Sequence, residues 1–164
     1  MKRKIYNVGL AHGVFDVLHT GHINHFKEAK KLCKKLIVSV TDNKFVKKGL
    51  NRPVFNSSER IQLLSSIKYV DQVILSKNIT AVNSIKRVKP NIYFKGLDYS
   101  KMNLKEQKNL NLEIKELKKI KGIFHITKSK LKSSSEILNK NSNILKKDIK
   151  AFLAKQDKKR ILSD

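Results

Sequence analysis

Over the first forty positions the apolar residues follow a strand, helix, strand rhythm. Ile5 to Ala11 is a short, largely apolar run. Ile23, Phe26, Ala29 and Leu32 then recur at three- and four-residue spacing, which predicts one buried stripe on a helix from about Gly21 to Cys33. Leu36-Ile37-Val38-Ser39-Val40 follows with little alternation, as suits a strand buried on both faces of a parallel sheet. Two strands and a helix within ~35 residues form a βαβ unit, whose crossover is right-handed.

The same alternation continues. Thr41 to Phe55 is polar, holds Gly49 and Arg52-Pro53, and reads as a loop. In Asn56-Ser57-Ser58-Glu59 the Asn can cap a helix while the Glu returns to the cap N–H, and Ile61, Leu63, Leu64 and Ile67 carry that helix onward. Gln72 to Leu75 predicts a brief strand, Thr80 to Val88 a helix closed off by Pro90, and Ile92 to Phe94 a fourth strand. Met102 to Lys119, rich in Lys, Leu and Glu, reads as a solvent-facing helix, and Gly122 to Thr127 as a fifth strand. A basic loop, Lys128 to Lys132, leads to Ser133-Ser134-Ser135, where three hydroxyls at a helix start offer both a cap and an anion site. The expected fold is a single Rossmann-like α/β domain over residues 1–140, with a parallel sheet of about five strands and helices on both faces. Residues 141–164 read as a C-terminal helix and basic tail, with Ile144, Ile149, Phe152 and Leu153 as an apolar side for the sheet or for a second subunit of a homodimer.

Composition narrows the function classes. The 164 residues suffice for one domain with its own core. No apolar run reaches the length of about 18 residues needed to span a membrane, and Met-Lys-Arg-Lys precedes a strand rather than a signal-type block, so a cytoplasmic protein without membrane insertion is expected. A single cysteine, Cys33, forms neither an intrachain disulfide nor a zinc cluster and reads as a small packing residue at the helix end. The net charge of +24 is mostly lysine spread over every segment beside abundant Asn and Ile, the pattern of a genome low in G+C and of a solvated surface. With no Trp and no aromatic-basic platform, no specific nucleic-acid partner is expected, while the positive field favours capture of small anions.

The chemistry concentrates in Gly13-Val14-Phe15-Asp16-Val17-Leu18-His19-Thr20-Gly21-His22, where the first strand hands over to the first helix. A helix start presents N–H groups and a positive dipole end, and the two glycines permit close approach, so the junction favours phosphate. His19 and His22, three residues apart, fall on one side of the first turn, whereas His25 lies beyond the pattern and reads as a surface or packing residue. Lys44, Lys47, Lys48 and Arg52 gather in the loop after the second strand, on the side of an α/β sheet where ligands bind. Arg60 sits in the first turn of its helix, an unfavourable place for a cation unless an anion is near.

Gly-x-Phe-Asp-x-x-His-x-Gly-His resembles the signature of the cytidylyltransferase-like nucleotidyltransferases, which join a nucleoside triphosphate to a phosphorylated small molecule and release pyrophosphate. The likeness covers about residues 5 to 139. Arg52-Pro53, Glu59-Arg60 and Lys95-Gly96-Leu97-Asp98-Tyr99 are similar to the adenylyltransferase domain of ADP-heptose synthases, while Lys68 matches a basic residue of glycerol-3-phosphate cytidylyltransferases. The resemblance implies His19 and His22 as donors to the phosphates, with Lys47 or Lys48, between which the pattern does not choose. It places Gly13, Val14, Phe15, Gly21, Lys95, Gly96, Asp98 and Lys128 at the nucleotide. Ser133, Ser134 and Ser135 match the family's second signature, although Lys132 stands where an Ile is usual. Asp16, Arg60 and Lys68 are implied on the substrate side, Asp16 there or at the metal. Magnesium is implied on the triphosphate, held largely by the nucleotide, and the acceptor is a phosphorylated sugar or polyol. A class I aminoacyl-tRNA synthetase shares the His-x-Gly-His but needs a further domain and a lysine loop, and no sugar-kinase stretch accompanies the motif, so a free-standing transferase is expected.

Overall fold

Strands and helices alternate through residues 4–46, 52–96 and 102–128, which are those that this computed structural model describes. The elements are β1 (Tyr6–Gly13), α1 (Thr20–Lys30), β2 (Cys33–Thr41), α2 (Ser57–Ser65), β3 (Gln72–Ser76), α3 (Val82–Val88), β4 (Ile92–Lys95), α4 (Leu104–Lys119) and β5 (Ile123–Ile126), with a short 3-10 turn at Asn43–Phe45. All of them belong to the compact unit Met1–Leu131. The expectations for Ser133 to Ser135 and for the helix over residues 141–164 lie outside the described residues. Among the described residues no helix is long and apolar enough to cross a membrane.

The five strands form one parallel sheet in the order β3-β2-β1-β4-β5. The chain first builds leftward from β1 and then restarts on its other side with β4. That reversal opens a crevice beyond the carboxyl ends of β1 and β4, where sheets of this topology bind ligands. Alternation along each strand splits the core in two. Ala11, Val38 and Phe94 face a cluster completed by Phe26 and Ala29 of α1 and Leu64 of α2, whereas Leu10, Ile37, Ile74 and Tyr93 face Ile85 of α3 and Leu110 and Leu117 of α4. Gly9 allows the central strand to pack this tightly, since a Cβ there would lie 2.6 Å from the Phe94 ring and 2.7 Å from Cys33 Sγ.

The element ends differ from expectation for identifiable reasons. β1 runs on to Gly13 because Gly13 still pairs with Val40. α1 stops at Lys30, and Leu32 turns back so that its carbonyl accepts from Tyr6 N at 2.8 Å; Cys33 therefore opens β2 rather than closing the helix, though it remains buried packing. The α2 capping box forms as read, with Asn56 Oδ1 accepting from Glu59 N at 3.0 Å and Asn56 N donating to Glu59 Oε2 at 2.7 Å. α4 is not simply solvent-facing, because Leu110, Glu113 and Leu117 recur on one face and are buried.

Two histidines are sealed in the interior. His12 Nδ1 meets Ser39 Oγ at 3.1 Å, Ser39 Oγ meets Ser84 Oγ at 2.7 Å, and His25 Nδ1 meets Thr127 Oγ1 at 2.6 Å. Burial, aided by the positive charge of Lys95, pulls each from 6.5 to about 4, so both are neutral at pH 7. Between those values the unfolded chain binds protons that the folded chain refuses, so stability falls as pH drops from about 6.5 towards 4. The loss is up to roughly 3 kcal/mol per histidine at the lower end. Urea unfolding at pH 7 and pH 4.5 should show a clearly lower midpoint in acid, and equal midpoints would contradict this burial of neutral imidazoles.

Candidate active site

The motif loop is held by its own side chains. Phe15 takes a left-handed backbone conformation, φ 50°, and its ring folds over Gly13, where a Cβ would lie 3.1 Å from it. The same ring packs edge-on against His22 at 5.4 Å and against Phe26 at 5.2 Å, and Phe15 is buried. His19 is the N-cap of α1, in extended conformation, and its Nδ1 accepts from Gly21 N at 3.1 Å. Accepting at Nδ1 forces a neutral ring to carry its proton on Nε2. The helix start therefore differs from a bare row of N–H groups. Gly21 N is taken by the His19 ring and His22 N by the His19 carbonyl at 2.9 Å, so the imidazole is part of the helix end itself. The His22 ring stacks on that of His19 with centroids 3.9 Å apart, which brings the two sequence-predicted histidines together as one half-buried pair.

Asp16 is not an open substrate or metal ligand. It is 2% exposed and saturated: Arg52 Nε donates to it at 2.6 Å, Val54 N at 2.7 Å and Phe55 N at 3.1 Å. Arg60 is likewise enclosed rather than presented to an anion. It is 0% exposed and donates to the carbonyls of Phe55 (3.0 Å), Val14 (2.6 Å) and Thr41 (2.9 Å) and to Asn43 Oδ1 (2.6 Å). Burial lowers its pKa from the ordinary arginine value, with the nearby Asp16 and Asp42 carboxylates opposing the shift. The unfavourable charge at the start of α2 is thus offset by backbone carbonyls and carboxylates of the protein itself.

The remaining candidates are dispersed. Lys95 and Gly96 lie at the carboxyl end of β4, beside the crevice, but the Lys95 ammonium is directed to Glu113 Oε2 at 3.4 Å. Glu113 is a further polar anchor, its two oxygens accepting from Ala81 N and from Tyr93 Oη, each at 2.8 Å. Lys128 follows β5 with an exposed side chain, and its backbone N–H is fixed by Glu28 at 3.0 Å. Lys68 lies apart from the other candidates. It comes after α2 and shortly before Asp71, whose N–H binds the Leu36 carbonyl at 3.0 Å, so it sits at the amino ends of the strands, away from the crevice, with its ammonium over the Tyr69 ring. Lys47, Lys48, Asp98, Ser133, Ser134 and Ser135 lie outside the described residues.

With this geometry in place, comparison with known proteins decides the family. A profile described as cytidylyltransferase-like matches residues 10–150. The chain belongs to the cytidylyltransferase-like family. Among curated relatives of this family, the bifunctional protein HldE of Campylobacter fetus is 42% identical over 90 residues, which is 54% of this chain and 20% of that protein. The chain thus spans about a fifth of the length of such HldE relatives, on the order of 20%. The FAD synthase of Thermoplasma volcanium is 31% identical over 134 residues, covering 79% of this chain and 94% of that protein. Among solved structures, the lipopolysaccharide core biosynthesis protein from Thermoplasma volcanium GSS1 superimposes with a TM-score of 0.60 at 30% identity, over 78% of this chain and 99% of that one.

Sequence reasoning missed Asn43, Glu113 and the pairing of Arg52 with Asp16, and left His25 open between surface and packing, where the structure buries it. Two of these left a signal. Glu113 stands three residues after Leu110 and four before Leu117, and His25 stands four before Ala29, so each lies on its helix's apolar stripe. The enclosure of Arg60 makes a direct prediction. Arg60→Leu should lower stability by about 2–4 kcal/mol, because it leaves several buried carbonyls without donors. Chemical denaturation reads this, and an unchanged midpoint would restore Arg60 to a purely ligand-binding role.

Proposed function

We propose that this protein transfers the nucleoside monophosphate of a nucleoside triphosphate to the phosphate of a sugar or polyol, with ATP and a heptose 1-phosphate as the preferred pair. The observation that carries this reading is the stacked His19–His22 pair at the start of α1, beside the crevice of the sheet. An oxygen of the acceptor phosphate attacks the α-phosphorus, the bond from that phosphorus to the bridging α,β oxygen breaks, and pyrophosphate leaves with the electron pair. Such a step needs alignment of two anions and donors at the equatorial oxygens more than covalent help. His19 Nε2–H and the His22 ring supply donors on one side, and the positive end of α1 adds to their field. Lys47 or Lys48, Lys128 and the serines at 133–135 are proposed to neutralise the triphosphate, and Asp98 to meet the base or ribose.

Magnesium would enter on the triphosphate and neutralise its oxygens. Among the described residues no three His, Cys, Asp or Glu side chains converge on a metal position, and Asp16 is committed to Arg52. That suits an ion that keeps water and substrate oxygens as its ligands. The FAD synthase relative makes, by its name, an adenine dinucleotide, which supports ATP over CTP; the neighbour named for lipopolysaccharide core biosynthesis supports a sugar acceptor. That FAD synthase also aligns over nearly its whole length, 94%, which favours a second reading with a flavin phosphate as acceptor. The reaction is placed in the cytoplasm, where triphosphates are supplied.

Pyrophosphate release should be assayed with Mg²⁺ and each of four triphosphates against heptose 1-phosphate, glycerol 3-phosphate, flavin mononucleotide and further sugar phosphates. ATP with heptose 1-phosphate is expected to give the highest rate. CTP with glycerol 3-phosphate alone would instead assign a cytidylyltransferase, and silence with every pair would refute transfer. On the active pair, His19→Ala and His22→Ala should each fold normally and lose about 10²–10³ in kcat, the usual effect of removing a donor from a charged transition state.

A further inference from the structure

Helix α1 carries the histidine pair at one end and grips the far side of the crevice at its middle. His25, one turn beyond His22, is 5% exposed, and its Nδ1 lies 2.6 Å from Oγ1 of Thr127, which is 0% exposed and directly follows β5. Thr127 in turn binds the end of β4. Its N–H reaches the Lys95 carbonyl at 2.9 Å and its hydroxyl donates to the same oxygen at 3.3 Å. With the single hydroxyl proton directed to Lys95, the short contact requires His25 to donate from Nδ1, giving a directed chain from imidazole to hydroxyl to carbonyl. One turn further along, Glu28 holds the Lys128 N–H with both oxygens, at 3.1 and 3.0 Å.

The apolar part of the α1 contact with the sheet is made by Phe26 and Ala29, and at its far end Lys30 Nζ donates to the Lys34 carbonyl of β2. Apolar contacts resist separation but set position weakly, whereas hydrogen bonds demand direction. An apolar residue at position 25 would bury well without needing a partner, so the histidine is explained by placement more than by cohesion. Resting on the nucleotide reading above, we propose that His25 is a positioning residue for the nucleotide: through Thr127 it sets the Lys95–Gly96 end of β4 and the Lys128 end of β5 at a fixed distance from His19 and His22. The walls of the crevice then meet the triphosphate already in register with the two donors.

The test uses the full chain with MgATP and MgCTP as probes, titrated calorimetrically against Thr127→Val, His25→Leu, the double variant and Thr127→Ser, with folding checked by near-ultraviolet circular dichroism. Thr127→Val and His25→Leu should each weaken the nucleotide that wild type binds by about tenfold, the effect of one buried hydrogen bond. The double variant should bind within about twofold of either single one, since both remove the same contact. Thr127→Ser, which keeps the hydroxyl, should match wild type. In turnover, nucleotide KM should rise in the valine variant while the acceptor KM stays as in wild type. Thr127→Val is isosteric and decides the matter alone if His25→Leu does not fold. Wild-type affinity in folded Thr127→Val overturns this inference and leaves the nucleotide reading intact, whereas a wild-type protein that binds neither nucleotide overturns both.

Discussion

The enclosure of one guanidinium organises the ligand side of this molecule. Arg60 draws together the carbonyl of Val14 after β1, that of Thr41 at the end of β2, that of Phe55 before α2, and the side chain of Asn43 in the intervening turn. Asp16 completes the frame from the opposite sign, collecting Arg52 and the N–H groups of Val54 and Phe55. Loop backbone that is buried must find partners, and here two charged side chains supply them. Removing either one leaves several groups unpaired at once. The motif loop between β1 and α1 is consequently tied at Val14 and Asp16 to α2 and the segment before it, although it has no regular structure of its own.

On that frame stands a helix start whose donor is an imidazole. Because His19 caps Gly21 through Nδ1, a neutral ring carries its proton on Nε2, and the stacking of His22 fixes a second ring beside it. Phe15, strained into left-handed backbone, fills the space above Gly13 and supports His22 from the side. Backbone strain of this kind persists only where the surroundings over-determine it. On the other face of the sheet, Glu113 does for α4 what Arg60 does for α2, tying Tyr93, Lys95 and Ala81 N to one buried carboxylate. Both faces thus combine an apolar layer with one charged anchor near the carboxyl ends of the strands.

Much of this was legible in the chain itself. The continuous apolar run of β2, the 23-26-29 spacing of α1 and the Asn56–Glu59 box are local patterns, and local patterns survive into the fold. The strand-to-helix setting of Gly13 to His22 likewise needs only neighbours in sequence. What escaped were pairings across long separations. Asp16 and Arg52 were each visible as charged residues of the ligand side, but nothing local says that they neutralise one another across 36 positions. Arg60 was recognised as a cation needing an anion, and its actual partners, mostly main-chain carbonyls, leave no trace in composition. Lys68 was drawn to the site by resemblance alone, and the run of α2 back along the sheet carries it to the amino ends of the strands.

The central claim is that His19 and His22 meet the phosphates while Asp16 and Arg60 hold the loop and touch no ligand. A crystal structure with Mg²⁺ and α,β-methylene-ATP tests it most directly. Triphosphate oxygens within hydrogen-bond distance of both imidazoles, with the Asp16–Arg52 pair and the Arg60 contacts to Val14 and Thr41 intact, are the predicted result. A triphosphate bound through Arg60 or Asp16 after those contacts break, or seated away from the start of α1, would contradict it.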